Sequence, residues 1–366
     1  MSENIIVVFG GTSNENEISV ITGVMVCNVL KNRGYGVLPV YVAQSGEAYT
    51  GANFCDISSF TSDGYLAFPR AVVADGGLYT LNRRGRLKKF VRADCALNCC
   101  HGGKSEGGAV SGLCALAGLP FASAGLFESS AFMNKYLTKI VLRGLGVNTL
   151  DYAFVKSVRE INSCGNMPQF PVIVKPVNLG SSIGVARADN AEELISAVEC
   201  ALTYDEGAII EKYVENRREI NCAAYFSGGE VITSECEEPL SGGDIFSFEE
   251  KYQGGAKSVF PADIPADMAR LIKKTTAEVY GKLGMRGIVR FDYIIDGDGV
   301  FVSEINTVPG SLAYYLISGG FKDFGRVLEG VIKQAEADFK AEKGKKLIKT
   351  GILKNLSSNA CKTGVK

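Results

Sequence analysis

The feature that most constrains the fold lies late in the chain. Two stretches that alternate apolar and polar residues, Gly287 to Ile295 and Gly299 to Ile305, flank a turn at Asp296 to Gly299. A period of two around an aspartate- and glycine-rich turn predicts an antiparallel hairpin with one buried face. Arg290 and Asp292 then share a face of the first strand, and Glu304 and Asn306 share a face of the second. Asp292, Glu304 and Asn306 can converge as three oxygen donors beside a guanidinium. Hard oxygen ligands suit Mg²⁺ that bridges phosphates, and the neighbouring cation suits phosphoryl transfer. The plainer reading is a hairpin with solvated acids; the following Thr307, Pro309 and Gly310 weigh against it.

A second signal is Phe170-Pro-Val-Ile-Val-Lys175-Pro, followed by Asn178-Leu-Gly180-Ser181-Ser182-Ile-Gly184. A lysine ending an apolar strand is costly to bury unless an anion pairs with it, and small loop residues let backbone N–H groups approach phosphate oxygens. This is not a Walker A loop, and no dinucleotide fingerprint follows the first strand. The third signal is Ile209-Ile-Glu211-Lys212-Tyr213-Val214 with Glu219 shortly after, placed to hold adenine and ribose.

The 366 residues, 46% hydrophobic and 22% charged, are enough for two or three domains with their own cores. A short apolar run from Ile5 to Phe9, closed by Gly10 and Gly11, precedes helical spacing from Ile18 to Leu30. Strands are expected at Tyr35 to Val42 and Asp94 to Cys100, giving residues 1–121 an open, mostly parallel α/β layer with ligands at the strand ends. Residues 122–213 read as α+β, with a helix from Met133 to Leu145, strands at Tyr152 to Val155, Pro171 to Lys175 and Ala208 to Glu211, and a helix at Ala191 to Leu202. Residues 214–342 carry the strands Ile220 to Phe226 and Glu230 to Glu235, a helix from Ala266 to Leu283, and the hairpin; 343–366 form a basic tail.

A net charge of −1 gives no footprint for nucleic acid, and the amino-terminal apolar run is too short for a signal peptide or a membrane span, so a small-molecule partner and a cytoplasmic setting are expected. Cys95, Cys99 and Cys100 beside His101 could suggest zinc, but they lie along one expected strand whose side chains alternate between faces. Reduced thiols in a core fit better.

Taken in order, Lys135, Lys175, the Glu211 to Val214 segment, Lys251, and Asp292, Glu304 and Asn306 resemble the nucleotide and magnesium site of ATP-grasp ligases. The amino-terminal pieces narrow the likeness to the D-alanine–D-alanine ligase family: Gly10-Gly-Thr-Ser-Asn-Glu15-Asn-Glu-Ile-Ser19, His101-Gly-Gly-Lys-Ser-Glu106-Gly-Gly, and Met133-Asn-Lys135. The similarity runs from about Ile5 to Leu316. It implies an ATP-grasp fold behind an open α/β amino-terminal domain, and a cytoplasmic enzyme of peptidoglycan precursor synthesis. It further implies use of ATP with Mg²⁺, two ions expected and Mn²⁺ an alternative, with D-amino acids as partners and a homodimer. Lys135 and Lys175 would contact phosphates, Glu211, Lys212 and Val214 would border the adenine, Glu219 would take the ribose, and Lys251 would reach the γ-phosphate. Glu15, Ser181 and Tyr252 would form a triad over the first D-alanine and lock a loop from Asp244 to Phe260 over the site. His101 would help place the second substrate, and Arg290 with the Gly310 N–H would form an oxyanion hole.

Two departures from the family pattern stand out. Asn134 replaces the usual aspartate before Lys135, a change expected to act on helix capping. Tyr315-Leu316 stands where the family has a serine and leucine that bind the second substrate's carboxylate. Tyr315 is either a replacement donor or a wall that reshapes the subsite, so D-serine is an alternative acceptor to D-alanine. A nucleotide-binding regulator without turnover is the rival from another class; the presence of Arg290, Asp292, Glu304, Asn306 and Lys251 as a set argues against it, since a binding module needs no oxyanion donor.

Overall fold

The structure is a computed structural model that describes residues 3–82, 84–240, 257–346, 348, 350 and 351. Its first sheet runs in the order Ala48–Tyr49, Gly36–Val42, Asn4–Gly10, Cys95–Asn98, with Asn4–Gly10 parallel to both neighbours. A parallel strand covered on both faces must be apolar throughout, and the Ile5 to Phe9 run meets that demand. Ile5, Val7 and Phe9 enter one core, and Ile6 and Val8 enter another. Cys95 and Cys99 fall in the first of these cores and Cys100 in the second, so the cysteine cluster is divided between opposite faces. Every cysteine among the described residues is a free thiol.

The helix Asn16–Asn32 covers the first face with Val20, Val26, Cys27 and Leu30. The long helix Phe321–Lys343 adds Phe324, Leu328, Val331 and Ile332 to that same core, so the far end of the chain seals the amino-terminal layer. The second face is covered by a three-stranded antiparallel sheet, Ala71–Ala74, Gly77–Leu81 and Leu87–Arg92, which the sequence reading did not mark.

The second sheet, ordered Ala186–Ala188, Val172–Pro176, Ala208–Lys212, Tyr152–Val155, is antiparallel throughout. Val172, Val174, Ala208 and Ile210 point into its core against the helix Ala191–Tyr204. The opposite face carries Ile173 and Lys175, paired in register with Glu211 and Ile209. Asn190 starts the covering helix by accepting the N–H groups of Glu192 and Glu193.

The third sheet, Glu230–Thr233, Arg218–Ser227, Ile288–Asp296, Gly299–Asn306, contains the expected hairpin. Arg290 pairs with Asn306 and Asp292 with Glu304, after which the register shifts by one residue and Tyr293 meets Val302. Phe291, Tyr293, Val302 and Ile305 turn inward against the helix Ala266–Lys282. The helix expected from Met133 to Leu145 spans Lys135–Gly144, and a separate helix, Leu126–Met133, precedes it. Asn134 takes an extended backbone and its side chain accepts the Leu137 N–H, so an N-cap interrupts the helical spacing. Phe132 and Leu142 from this pair enter the core of the third sheet.

Gly23 lies against Phe9, and a Cβ there would overlap the ring. Gly23→Ala is expected to cost about 1–3 kcal/mol of stability as an overpacking change. Denaturant unfolding of the two proteins checks this; an unchanged midpoint would mean that Phe9 can move aside.

Candidate nucleotide and phosphoryl-transfer site

A cleft opens between the outward faces of the second and third sheets. It is lined by Lys135, Lys175, Ser181, Glu211, Lys212, Val214, Glu219, Asp292 and Glu304, together with apolar Leu150, Ile173 and Ile294. These residues come from six separate stretches, and strand alternation turns Ile173, Lys175, Asp292 and Ile294 among them toward one space.

Glu211 is 3% exposed, which would be prohibitive for an isolated carboxylate. Its Oε2 lies 2.7 Å from the Lys175 ammonium and its Oε1 lies 2.5 Å from that of Lys139. Burial alone would raise the Glu211 pKa, but the two ammonium groups outweigh it and hold the carboxyl well below its usual range. Burial likewise works against the charge on Lys175, yet Glu211 and Glu304 keep its pKa raised. Lys135 begins its helix beside the cleft, where its Nζ donates to the Leu179 carbonyl at 2.6 Å and lies 3.1 Å from Glu304 Oε1. Lys212 turns its ammonium to Asp296 at 2.8 Å, and Glu219 meets Arg217 at 2.9 Å.

On the third sheet, Arg290 grips Asp292 with two N–H groups, at 2.7 and 2.8 Å, and Asn306 Nδ2 donates to the same carboxylate at 2.9 Å. Burial opposes the Arg290 charge, while Asp292 sustains it. The remaining end of the guanidinium lies 3.4 Å from the Tyr315 hydroxyl, whose oxygen accepts. Tyr315 is 38% exposed, whereas the Leu316 side chain is packed in the first core, so any contact of Leu316 with a ligand falls to its backbone. Ser311, Leu312 and Ala313 all have left-handed backbone, near φ +50°, immediately after Gly310. Asp292, Glu304 and the Asn306 amide lie together on this face and carry oxygens of the kind a hard divalent cation takes, while Arg290 engages both Asp292 oxygens; among the described residues no group of three or more His, Cys, Asp or Glu side chains is placed to hold a metal.

The glycine and serine loop reaches across to the amino-terminal layer, where Ser181 Oγ donates to the Glu15 carboxylate. Ser181 and Ser182 both hold left-handed φ, at 54° and 59°. Gly102 packs against Glu15 with φ +69°, a position that a side chain would obstruct. Lys251, Tyr252 and positions 244–256 of the expected covering loop lie outside the described residues.

His101 is buried and both ring nitrogens are engaged. Nδ1 lies 2.8 Å from the Val308 carbonyl, which can only accept, so Nδ1 carries the proton and Nε2 accepts from the Thr22 hydroxyl at 2.8 Å. Thr22 Oγ1 in turn accepts the Ser311 N–H at 3.2 Å. No ring nitrogen remains for a substrate. His101 therefore acts on the Gly310 segment through Val308 and Ser311. Glu106 braces the same turn, accepting the Gly102 and Val308 N–H groups at 2.7 and 3.2 Å, and burial pushes its pKa up to about 7. Sequence reasoning left Lys139, Thr22 and Glu106 without a site role. Lys139 was within reach, because it lies four residues after Lys135 and so on the same side of one helix.

The family described as D-ala D-ala ligase N-terminus matches residues 4–124, and that described as D-ala D-ala ligase C-terminus matches residues 141–334. A D-alanine–D-alanine ligase of Thermosipho melanesiensis is 32% identical over 350 residues, covering 93% of this chain and 95% of that protein. One from Wolinella succinogenes is 33% identical over 340 residues, covering 90% and 92%. Among solved structures, the D-alanine–D-alanine ligase of Helicobacter pylori superposes with a TM-score of 0.75 at 28% identity, over 90% of this chain and 98% of that one. Among the described residues no helix is long and apolar enough to cross a membrane.

Burial lowers the His101 pKa to about 4. In the unfolded chain the imidazole takes its proton near ~6.5, so acidification through this window favours unfolding and stability falls. Because the chain contains one histidine, a single imidazole NMR signal reports it; titration near ~6.5 in the folded protein would contradict the buried, doubly bonded ring.

Proposed function

This chain belongs to the D-ala D-ala ligase family, and on that footing we propose that it joins D-alanine to a second D-amino acid, D-alanine foremost, with ATP as the energy source. The observation that carries the reading is the pairing of Arg290 and Asp292 with Asn306 and Glu304 on one sheet face, opposite Lys135 and Lys175 across the cleft. A regulator that only bound nucleotide would have no use for a guanidinium held by two bonds to Asp292 beside the phosphate end of the cleft.

The chemistry assigns each group a task. A carboxylate is a poor electrophile, so an oxygen of the first D-alanine attacks the γ-phosphorus of ATP, ADP leaves, and an acyl phosphate forms. Lys135 and Lys175 meet the phosphates in line with the strand ends. Asp292, Glu304 and Asn306 would hold Mg²⁺, which supplies charge neutralisation at the transferring group. Glu15, fixed by Ser181, takes the ammonium of the first D-alanine. The second amine, unprotonated, attacks the acyl carbon; the oxyanion that develops is met by Arg290 and the Gly310 N–H, and its collapse expels phosphate. His101 and Glu106 keep the Gly310 turn in place through Val308. Leu150, Val214 and Ile294 give the inner end of the cleft the apolar walls that an adenine ring needs. We take residues 1–121 as the substrate-binding part, 122–213 as the nucleotide cover and 214–342 as the catalytic part.

Tyr315 governs the acceptor in this scheme. Its hydroxyl accepts from Arg290, which leaves the hydroxyl proton for the incoming carboxylate. Release of ADP and phosphate should require both Mg²⁺ and a D-amino acid, and equal release without amino acid would reject the ligase reading. Glu304→Gln should lose turnover by about 10²-fold. Tyr315→Phe should raise the Michaelis constant of the second amino acid about tenfold and leave that of ATP in place; unchanged acceptor constants would reduce Tyr315 to a wall.

A further inference from the structure

We propose that Lys139, which does not line this cleft, is a positioning residue for the nucleotide: it occupies one oxygen of Glu211 and so leaves the Lys175 charge available to phosphate. The inference rests on the nucleotide reading of the cleft. Lys139 is 0% exposed, and Glu211 is its ion-pair partner, 2.5 Å from Nζ. Its Nζ makes no hydrogen bond of good geometry, and the Tyr152 ring lies 5.8 Å away. Such a group is expensive. Where a buried ion pair serves packing alone, well-fitted apolar side chains do as well or better. The arrangement here goes further, since two ammonium groups share one carboxylate and leave one net positive charge beneath the cleft.

The geometry says what that charge does. Lys175, 17% exposed at its side chain, and Glu211 line the cleft while Lys139 does not, and the Lys175 Nζ lies 2.7 Å from the second Glu211 oxygen. With Lys139 absent, Glu211 would neutralise Lys175 alone and draw its ammonium away from an incoming phosphate. With Lys139 present, the carboxylate is already balanced, and in a poorly solvated setting the excess charge is weakly screened. The helix Lys135–Gly144 therefore supplies two cations one turn apart: Lys135 at the cleft wall, and Lys139 behind the Glu211 carboxylate.

Steady-state kinetics of the full chain test this, with ATP and D-alanine varied in turn for Lys139→Met, Lys139→Arg, Glu211→Gln, Lys175→Met and the double variant Lys139→Met/Glu211→Gln. Lys139→Met should raise the Michaelis constant for ATP about tenfold while that for D-alanine stays put, and in the Glu211→Gln background the same change should have little further effect. Lys139→Arg, which keeps the charge, should hold the ATP constant within about threefold of the parent and carries the comparison if Lys139→Met does not fold. An ATP constant untouched by Lys139→Met, an effect equally large in both backgrounds, or a loss in Lys139→Arg as great as in Lys139→Met overturns the role. Lys175→Met separates the two layers of argument: if it raises the ATP constant and Lys139→Met does not, the positioning role falls and the nucleotide site stands. If neither does, both fall.

Discussion

A slip of one residue in the pairing of Gly299–Asn306 with Ile288–Asp296 would turn Glu304 and Asn306 into the apolar core and bring Ile305 out to the cleft, parting Glu304 and Asn306 from Arg290 and Asp292. The site depends on that register. Phe291, Tyr293, Val302 and Ile305 lock it by packing against the helix Ala266–Lys282, and the shift between Asp292 and Tyr293 absorbs one extra residue without turning the charged face inward. The second sheet obeys the same rule, with Val172 and Val174 inward and Ile173 and Lys175 toward the cleft. Two half-buried sheets set face to face across an opening thus deliver Lys175 and Glu211 from one side and Asp292, Glu304 and a guanidinium from the other.

Charge within the cleft is held in matched sets before any ligand arrives. Asp292 is gripped by Arg290 and Asn306, Glu304 faces Lys135, and Glu211 is shared by Lys139 and Lys175. Preorganised groups of this kind need little rearrangement when charge moves during phosphoryl transfer, which is where electrostatic catalysis gains most. The turn after the hairpin is fixed by a different device. His101, Thr22 and Glu106 fasten Val308 and Ser311 to the amino-terminal layer, so the Gly310 N–H and the Tyr315 ring are positioned by a domain distant in sequence.

Much of this was legible in the chain, for identifiable reasons. Ile5 to Phe9 announces a doubly covered parallel strand, and the alternation around Asp296 to Gly299 announces the hairpin, because both patterns are local and have a fixed period. Asn134 was readable as a cap, although the helix it starts was drawn two residues too early. The antiparallel sheet from Ala71 to Arg92 went unmarked because its outer strand, Leu87–Arg92, is rich in exposed charge and carries a weak apolar signal. The docking of Phe321–Lys343 on the first core is a contact between chain ends that no local window contains. Lys139 and His101 depart for a shared reason: their partners, Glu211 for one and Thr22 and Val308 for the other, are remote in sequence, and a buried lysine or a satisfied histidine looks like any other until those partners are placed.

The central claim is that a carboxylate oxygen of the first amino acid attacks the γ-phosphorus in the cleft between Lys175 and Arg290. D-alanine labelled with ¹⁸O in both carboxylate oxygens, incubated with the protein, ATP and Mg²⁺, tests it directly through mass spectrometry of the released phosphate. Attack through an acyl phosphate transfers one labelled oxygen to each phosphate formed, because the bond broken in the second step is the acyl carbon–oxygen bond. Phosphate that carries no label while dipeptide accumulates would contradict the account.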